Sequence, residues 1–226
     1  MAKTYAIAID GPAGAGKSTI AKRLAKELGF QYVDTGALYR TVAYFLDLLG
    51  ISPKDVDGVE RYIDELNVEI EYDEDGLQHM IMNGMDVSND IRTQDISQKA
   101  SLVSAHAVVR DALLDMQRNV AKNYNVIMDG RDIGTVVLPK ADVKIFLTAS
   151  AEVRAKRRTD ELLAKGQTAV YETILKEIQQ RDYQDTHRPI APLKMAKDSV
   201  KLDTSDLDID GVVAAMRKII GEKIPV

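Results

Sequence analysis

Apolar positions along the chain fall into two rhythms, a helical one and an alternating one. Tyr5 to Ile9 is a short apolar run, and Lys17 to Leu28 carries Ile20, Leu24 and Leu28 at helical spacing before Gly29 stops the helix at its C′ position. A strand at Gln31–Val33 leads through Asp34-Thr35-Gly36 into a second helix, with Leu38, Val42, Phe45 and Leu49 on one face and Gly50 at its end. Ser52-Pro53 predicts a third, Ser serving as N-cap and Pro as first helical residue.

Near residue 67 the rhythm changes. Val68, Ile70 and Tyr72 alternate with Glu69 and Glu71, the pattern of a half-buried strand. Asp73-Glu74-Asp75-Gly76 and Asn83-Gly84 are turn sequences, the second a strong hairpin marker. Residues 67–88 therefore predict a small antiparallel meander inserted in a chain otherwise built of strand–helix units. Helical patterning returns from Asp95 to Lys122. Three more apolar strands follow at Asn125–Met128, Val143–Leu147 and Ser199–Leu202, with helices over Ala151–Lys165, Ala169–Arg181 and Asp208–Gly221. Five short apolar strands separated by helices imply a buried parallel sheet with right-handed crossovers, an α/β fold.

The 226 residues fit one α/β domain carrying insertions, and 45% apolar content is enough to fill its core. No window approaches the roughly 18 apolar residues of a membrane span. Met1-Ala2-Lys3 runs straight into the first strand, so no cleavable signal is expected. The sequence has no Cys and three scattered His, which excludes disulfides and speaks against zinc; a cytoplasmic setting is expected. A net charge of −5 argues against nucleic acid as a partner, because phosphate backbones select clustered positive charge. The Arg residues bunched at 154–158 and 181–188 suit a small anion better than a polymer.

Candidate chemistry begins at Gly11-Pro12-Ala13-Gly14-Ala15-Gly16-Lys17-Ser18, a glycine loop between a strand and a helix, the context of a P-loop. Its backbone N–H groups and the helix N-terminus form a nest for the phosphates of a purine nucleoside triphosphate. Lys17 reaches the β- and γ-phosphates, the Ser18 hydroxyl can ligate Mg²⁺, and Thr19 can meet the α-phosphate. An Asn-Lys-x-Asp base motif is missing, which disfavours a small GTPase switch and leaves a small kinase as the leading class. Phosphoryl transfer rests on positioning and charge neutralisation, so the acceptor side should supply cations. Arg40 and Arg131 lie at the C-terminal edge of the predicted sheet, where open α/β sheets bind ligands. Asp129 ends a strand either as a magnesium-orienting carboxylate or as a simple turn cap. Arg154, Arg157 and Arg158 share a helix face, and Arg181-Asp182-Tyr183-Gln184-Asp185-Thr186-His187-Arg188-Pro189 follows a helix; together they predict a closing lid, or else a basic face paired with Glu152, Asp160 and Glu161. His79, His106 and His187 form no base-like constellation, whereas Asp34 and Asp132 remain possible bases. A nucleoside monophosphate would need none, since its second pKa is about 6.

These residues resemble those of the bacterial cytidylate kinases, the CMP/dCMP kinases of the nucleoside monophosphate kinase group. The resemblance covers nearly the whole chain and rests on Gly11–Thr19, Asp34-Thr35-Gly36-Ala37-Leu38-Tyr39-Arg40, Ile91-Arg92-Thr93, Val109-Arg110, Asp129 to Thr135, Arg181 to Asp185, and Arg188 through Pro192-Leu193. It implies a P-loop kinase core with a five-stranded parallel sheet flanked by helices (1–66, 123–150 and 195–226). To this it adds a small NMP-binding insert with an antiparallel sheet (67–122) and a helical lid (151–194). It implies transfer of the γ-phosphoryl group of ATP to CMP or dCMP in pyrimidine nucleotide metabolism, with Mg²⁺ bridging the triphosphate, in a monomer. By the same resemblance Ser101, Arg110 and Asp132 read cytosine, Thr35, Arg40 and Arg131 grip its phosphate, and Arg181 and Asp185 hold the ribose. Arg188 acts from the lid and Arg157 near the ATP phosphates; Lys17, Arg131, Arg157 and Arg188 are the catalytic set, and Ser18 with Asp129, through water, the metal set. Some members have Ser at the places of Thr35 and Thr186, which keeps the hydroxyl, and Met or Ile at that of Leu38. A hydroxyl-phosphorylating kinase of the shikimate type, disfavoured by the 67–88 insert, and a nucleotide-binding regulatory module without turnover are the rival readings.

Overall fold

The computed structural model describes residues 3–225; Met1 and Ala2, read above as leading directly into the first strand, lie outside the described residues. Strands β1 (Ala6–Asp10), β2 (Gln31–Asp34), β6 (Val126–Gly130), β7 (Val143–Thr148) and β8 (Val200–Asp203) form one parallel sheet in the order β2-β6-β1-β7-β8. Strands β3 (Val68–Tyr72), β4 (Gln78–Met82) and β5 (Met85–Asp86) form a separate antiparallel sheet.

Both faces of the parallel sheet are covered, which is why its strands read as continuous apolar runs. Side chains alternate: Ile7 and Ile9 of β1 pack with Ile127, Ile145 and Leu147 under helices α1 (Lys17–Leu28) and α8 (Ile209–Gly221). Ala8 faces the opposite side, against Val33, Met128, Ile133 and Val137. Helix α1 ends as its sequence predicts, Gly29 taking the left-handed conformation at φ 67°.

The antiparallel sheet shares one apolar cluster with helices α2 (Thr35–Leu48), α3 (Val56–Tyr62), α4 (Gln94–Val103) and α5 (Ala107–Asn123). Its last hairpin turns at Asn83-Gly84, both at positive φ (49° and 81°), as the two-residue turn requires. The Tyr72 hydroxyl donates to the Tyr32 carbonyl at 3.0 Å and the Asp34 N–H to Gln78 Oε1 at 2.7 Å, tying this sheet to the C-terminal end of β2. Helices α6 (Ala151–Ala164) and α7 (Tyr171–His187) pair through Ala155, Ile174 and Ile178.

Four expectations need correction. Ser52-Pro53 forms a turn, not a helix start, because Asp55 is the residue whose carboxylate caps α3 by accepting from Gly58 N–H at 3.1 Å. Leu49 lies beyond α2 and is 45% exposed, so the buried face runs through Leu46 instead. The helical stretch from Asp95 to Lys122 is two helices, broken at Ser104-Ala105-His106. Helix α7 continues six residues past Arg181, to His187, so Asp182 to His187, expected to follow the helix, are its last turns. Among the described residues, no helix is long and apolar enough to cross a membrane.

Candidate functional site

The C-terminal ends of β1, β2 and β6 open into a cleft of about 230 Å³. Strand β1 delivers Asp10 and then the glycine loop. A Cβ at Gly11 would lie 1.9 Å from the Leu147 carbonyl oxygen, so only glycine lets the loop leave the sheet this close to β7. Gly16 stands at the N-cap of α1 without a side-chain cap, leaving the first N–H groups of α1 available to an anion. Lys17 is buried, and its ammonium donates to the Pro12 carbonyl at 2.8 Å. Burial, then the neighbouring Arg131 charge, pushes its pKa down to about 7.

Ser18 donates to Asp129 Oδ2 at 2.7 Å, and the Tyr32 hydroxyl donates to Oδ1 at 2.9 Å. Burial, with the Asp34 charge second, raises the Asp129 pKa. Among the described residues no cluster of three or more His, Cys, Asp or Glu could by itself hold a metal. One hydroxyl and one adjacent carboxylate nonetheless fit a cation whose remaining ligands are phosphate oxygens and water.

Helix α2 begins at the cleft. Asp34 serves it twice: Oδ1 accepts from the Ala37 N–H at 2.9 Å as N-cap, and Oδ2 accepts from Arg40 at 2.8 Å. The Thr35 hydroxyl donates to the Asp129 carbonyl at 2.7 Å. After β6, Arg131 Nε donates to Asp185 at 2.7 Å. The Asp132 carboxylate receives Arg110 on one oxygen and Arg188, at 3.2 Å, on the other. Burial raises the Asp132 pKa; for Asp185 burial works upward too, yet the Arg131 charge and hydrogen bond carry it below the usual range.

Helix α7 brings Arg181, Asp185 and then Arg188 to the cleft, across from Ser101 of α4, whose hydroxyl lies 3.5 Å from Asp185 Oδ1. Arg188 is fixed on three sides: Nε donates to the carbonyl of Ala191, a residue at φ 46°, and Nη1 to the Ser104 hydroxyl at 2.9 Å. Arg40 and Arg181 each keep a buried Nε–H without a partner. For Arg181, burial and then the Arg131 charge lower the pKa to about 10.

The cleft thus gathers Lys17, Ser18, Thr35, Arg40, Ser101, Asp129, Arg131, Asp132, Arg181, Asp185 and Arg188 from far-apart positions. Arg110 stands just behind, bonded to Asp132 and to the Ser104 carbonyl at 3.2 Å, with Tyr39 under its guanidinium at 5.6 Å. Arg157 is placed elsewhere. Ser150 caps α6 and sets its register so that Arg154 faces the glycine loop, while Arg157 donates to the Thr204 hydroxyl and carbonyl at 3.2 and 2.6 Å in the β8–α8 loop.

Sequence reasoning gave no role to Tyr39 or Ser104, or to the bond network around Arg154. Arg154 is 4% exposed; its guanidinium donates to the Ala149 carbonyl, to the Ala13 carbonyl of the glycine loop at 2.9 Å, and to both oxygens of Asp182 on α7. Three arginines at helical spacing do not reveal which one turns inward.

The comparisons with known proteins bear on the family to which the chain belongs. A family model described as cytidylate kinase matches residues 7–222. A cytidylate kinase of Carboxydothermus hydrogenoformans is 49% identical over 217 residues, 96% of this chain and 97% of that protein. One from Ligilactobacillus salivarius is 49% identical over 223 residues, 99% of each, and one from an Exiguobacterium species 47% identical over 222, covering 98% and 99%. Among solved structures, an uncharacterized protein of Eubacterium ventriosum superposes with a TM-score of 0.52 at 14% identity, covering 96% of this chain and 99% of that one, a likeness of fold alone. Near-half identity sustained over almost the full length, within a family model that runs from β1 to the end of α8, makes the kinship plain: the chain belongs to the cytidylate kinase family.

Proposed function

We propose that the protein transfers the γ-phosphoryl group of ATP to CMP or dCMP, giving ADP and CDP or dCDP. The observation that carries this reading is the pair of buried, unpartnered Nε–H groups on Arg40 and Arg181, both in the cleft that Lys17 enters. An unsatisfied buried donor is costly, and a nucleoside monophosphate opposite the loop supplies both acceptors, its phosphate to Arg40 and its ribose oxygens to Arg181. The names of the relatives, cytidylate kinase, support CMP as that nucleotide.

In this reading the loop amides from Gly11 to Thr19 hold the donor phosphates, and Lys17 neutralises the β- and γ-oxygens. Ser18 and Asp129, the latter through water, would hold Mg²⁺, whose charge offsets that of the triphosphate. Lys17 and Arg131 both line the cleft, where two cations would offset the charge of the transferring group. Thr35, Arg40 and Arg131 take the acceptor phosphate, Arg181 and Asp185 the ribose, and Arg188 closes from the lid. Asp132 accepts from the cytosine amine while Arg110 and Ser101 donate to the ring acceptors, a pattern uracil cannot satisfy. No general base is assigned: Asp34 and Asp132 are both engaged by arginines, and a phosphate dianion is already a nucleophile. We divide the chain into a core (1–66, 123–150, 195–226), an acceptor-binding insert (67–122) and a lid (151–194), acting as a cytoplasmic monomer on free nucleotides; a sequence without Cys suits that compartment.

A coupled ADP-release assay with ATP–Mg²⁺ against CMP, dCMP, UMP, AMP, GMP and shikimate tests this. Turnover is expected with CMP and dCMP. Equal turnover with UMP would remove the cytosine assignment, and no turnover with any monophosphate would remove the kinase reading.

A further inference from the structure

Asp10 is the last residue of β1, 2% exposed, and none of the steps above uses its carboxylate. Its two oxygens accept from the backbone N–H groups of Ile133 and Gly134, each at 2.7 Å. These amides open the helical turns Ile133–Val137 that follow the acceptor loop, and the residue in the ordinary capping position is Asp132. Yet Asp132 makes no side-chain cap there. Its carboxylate is turned instead toward Arg110 and Arg188.

An Asp at a helix start ordinarily spends its carboxylate on the following amides, because those donors have no partner within the helix. Here a residue 122 positions earlier in the sequence does so, reaching across from β1 to the neighbouring strand β6, where Asp10 pairs in register with Gly130. We infer that Asp10 is a positioning residue for acceptor recognition: by taking the Ile133 and Gly134 amides it leaves the Asp132 carboxylate free to hold Arg110 and Arg188 and to face the base. The inference rests on the assignment of Asp132 to the acceptor. Burial raises the Asp10 pKa to about 6, opposed by those two backbone hydrogen bonds, so above that pH it acts as the carboxylate the two amides require.

The test is Asp10→Asn, which keeps the size of the side chain but turns an NH₂ toward one of the two N–H donors. With that cap half lost, Asp132 is drawn back toward its own amides. The expected result at pH 7.5 is a rise in KM for CMP of about tenfold and a fall in the CMP-to-UMP preference of similar size, equivalent to one lost hydrogen bond. KM for ATP should stay within about twofold, since no loop amide is touched. A lower melting temperature with equal loss of kcat for CMP and UMP, and unchanged KM for CMP, would show a merely structural role and overturn the inference. Asp132→Asn, measured alongside, separates the two readings. If it leaves the CMP-to-UMP ratio unchanged, the assignment of Asp132 has failed; if it abolishes the preference while Asp10→Asn does not, only the role of Asp10 has. The wild-type enzyme gives a measurement independent of folding in the variants: the Ile133 and Gly134 amides should resist deuterium exchange, and exchange at unprotected rates would overturn the inference.

Discussion

The Ser18 hydroxyl and the Asp129 carboxylate meet at 2.7 Å across the floor of the cleft, Ser18 donating. With its proton turned toward Asp129, the hydroxyl oxygen keeps its lone pairs for a cation. Asp129→Asn removes the charge while keeping the shape. The magnesium concentration for half-maximal activity should rise by about 10–100-fold, the usual effect of losing a carboxylate that orients a metal ligand. Affinity for CMP in the absence of ATP should not change, which equilibrium titration checks.

Lys17→Met should lower kcat/KM by at least about 10²–10³-fold, as for loss of one transition-state donor. A stability measurement gives the companion result. Lys17 has a folded-state pKa lowered from 10.5 to about 7, so between those pH values the unfolded chain binds more protons than the folded one. Stability of the free enzyme contributed at this site therefore rises with pH from about 7 toward 10.5. Thermal unfolding across that range should show the rise in the wild type, and a flatter profile in Lys17→Met.

Arg110→Ala leaves Asp132 buried with one arginine instead of two, so it strikes the base more than the phosphate. The kcat/KM ratio of CMP to UMP should fall by about 10–100-fold, one to two hydrogen bonds of discrimination. An unchanged ratio in the ADP-release assay would remove Arg110 from base reading.

His79 pins the antiparallel sheet away from the cleft, lying 2.8 Å from Asp86 and 3.3 Å from Asp73. Its hydrogen bonds to these two carboxylates raise its pKa above 6.5. The stability it contributes is fully present below pH 6.5 and is lost as pH rises through the raised folded value. His79→Gln should remove this dependence. Amide exchange in β4, followed from pH 6 to 8, should accelerate with pH beyond the intrinsic chemical trend in the wild type alone.

How far the sequence reveals these features depends on what stabilises each element. Helix α1 was legible to the residue, because glycines bracket an apolar stripe at regular helical spacing. The meander was legible because Asn83-Gly84 admits few other geometries. Periodicity stops helix α7 at Arg181 because its last turns carry no apolar stripe. They are held inward by ion pairs, Asp182 with Arg154 and Asp185 with Arg131, whose partners lie 28 and 54 residues away. Ser52-Pro53 misled because a cap is defined by the N–H groups it reaches, and Asp55 reaches them instead. The phosphate loop declares itself in local sequence. The cleft arginines were placed near the sheet edge by strand order, but their pairings with Asp34, Asp132 and Asp185 required the folded chain.

The Arg154 guanidinium grips the Ala13 carbonyl with one nitrogen and Asp182 of α7 with that nitrogen and the next. The glycine loop and helix α7 are thereby yoked through a single planar group. Any displacement of α7 on acceptor binding either drags the loop carbonyl along or tears charge-assisted bonds in a buried setting. Were such a displacement to accompany binding, thermodynamic reciprocity would fix its consequence: whatever factor ATP imposes on CMP affinity, CMP imposes on ATP.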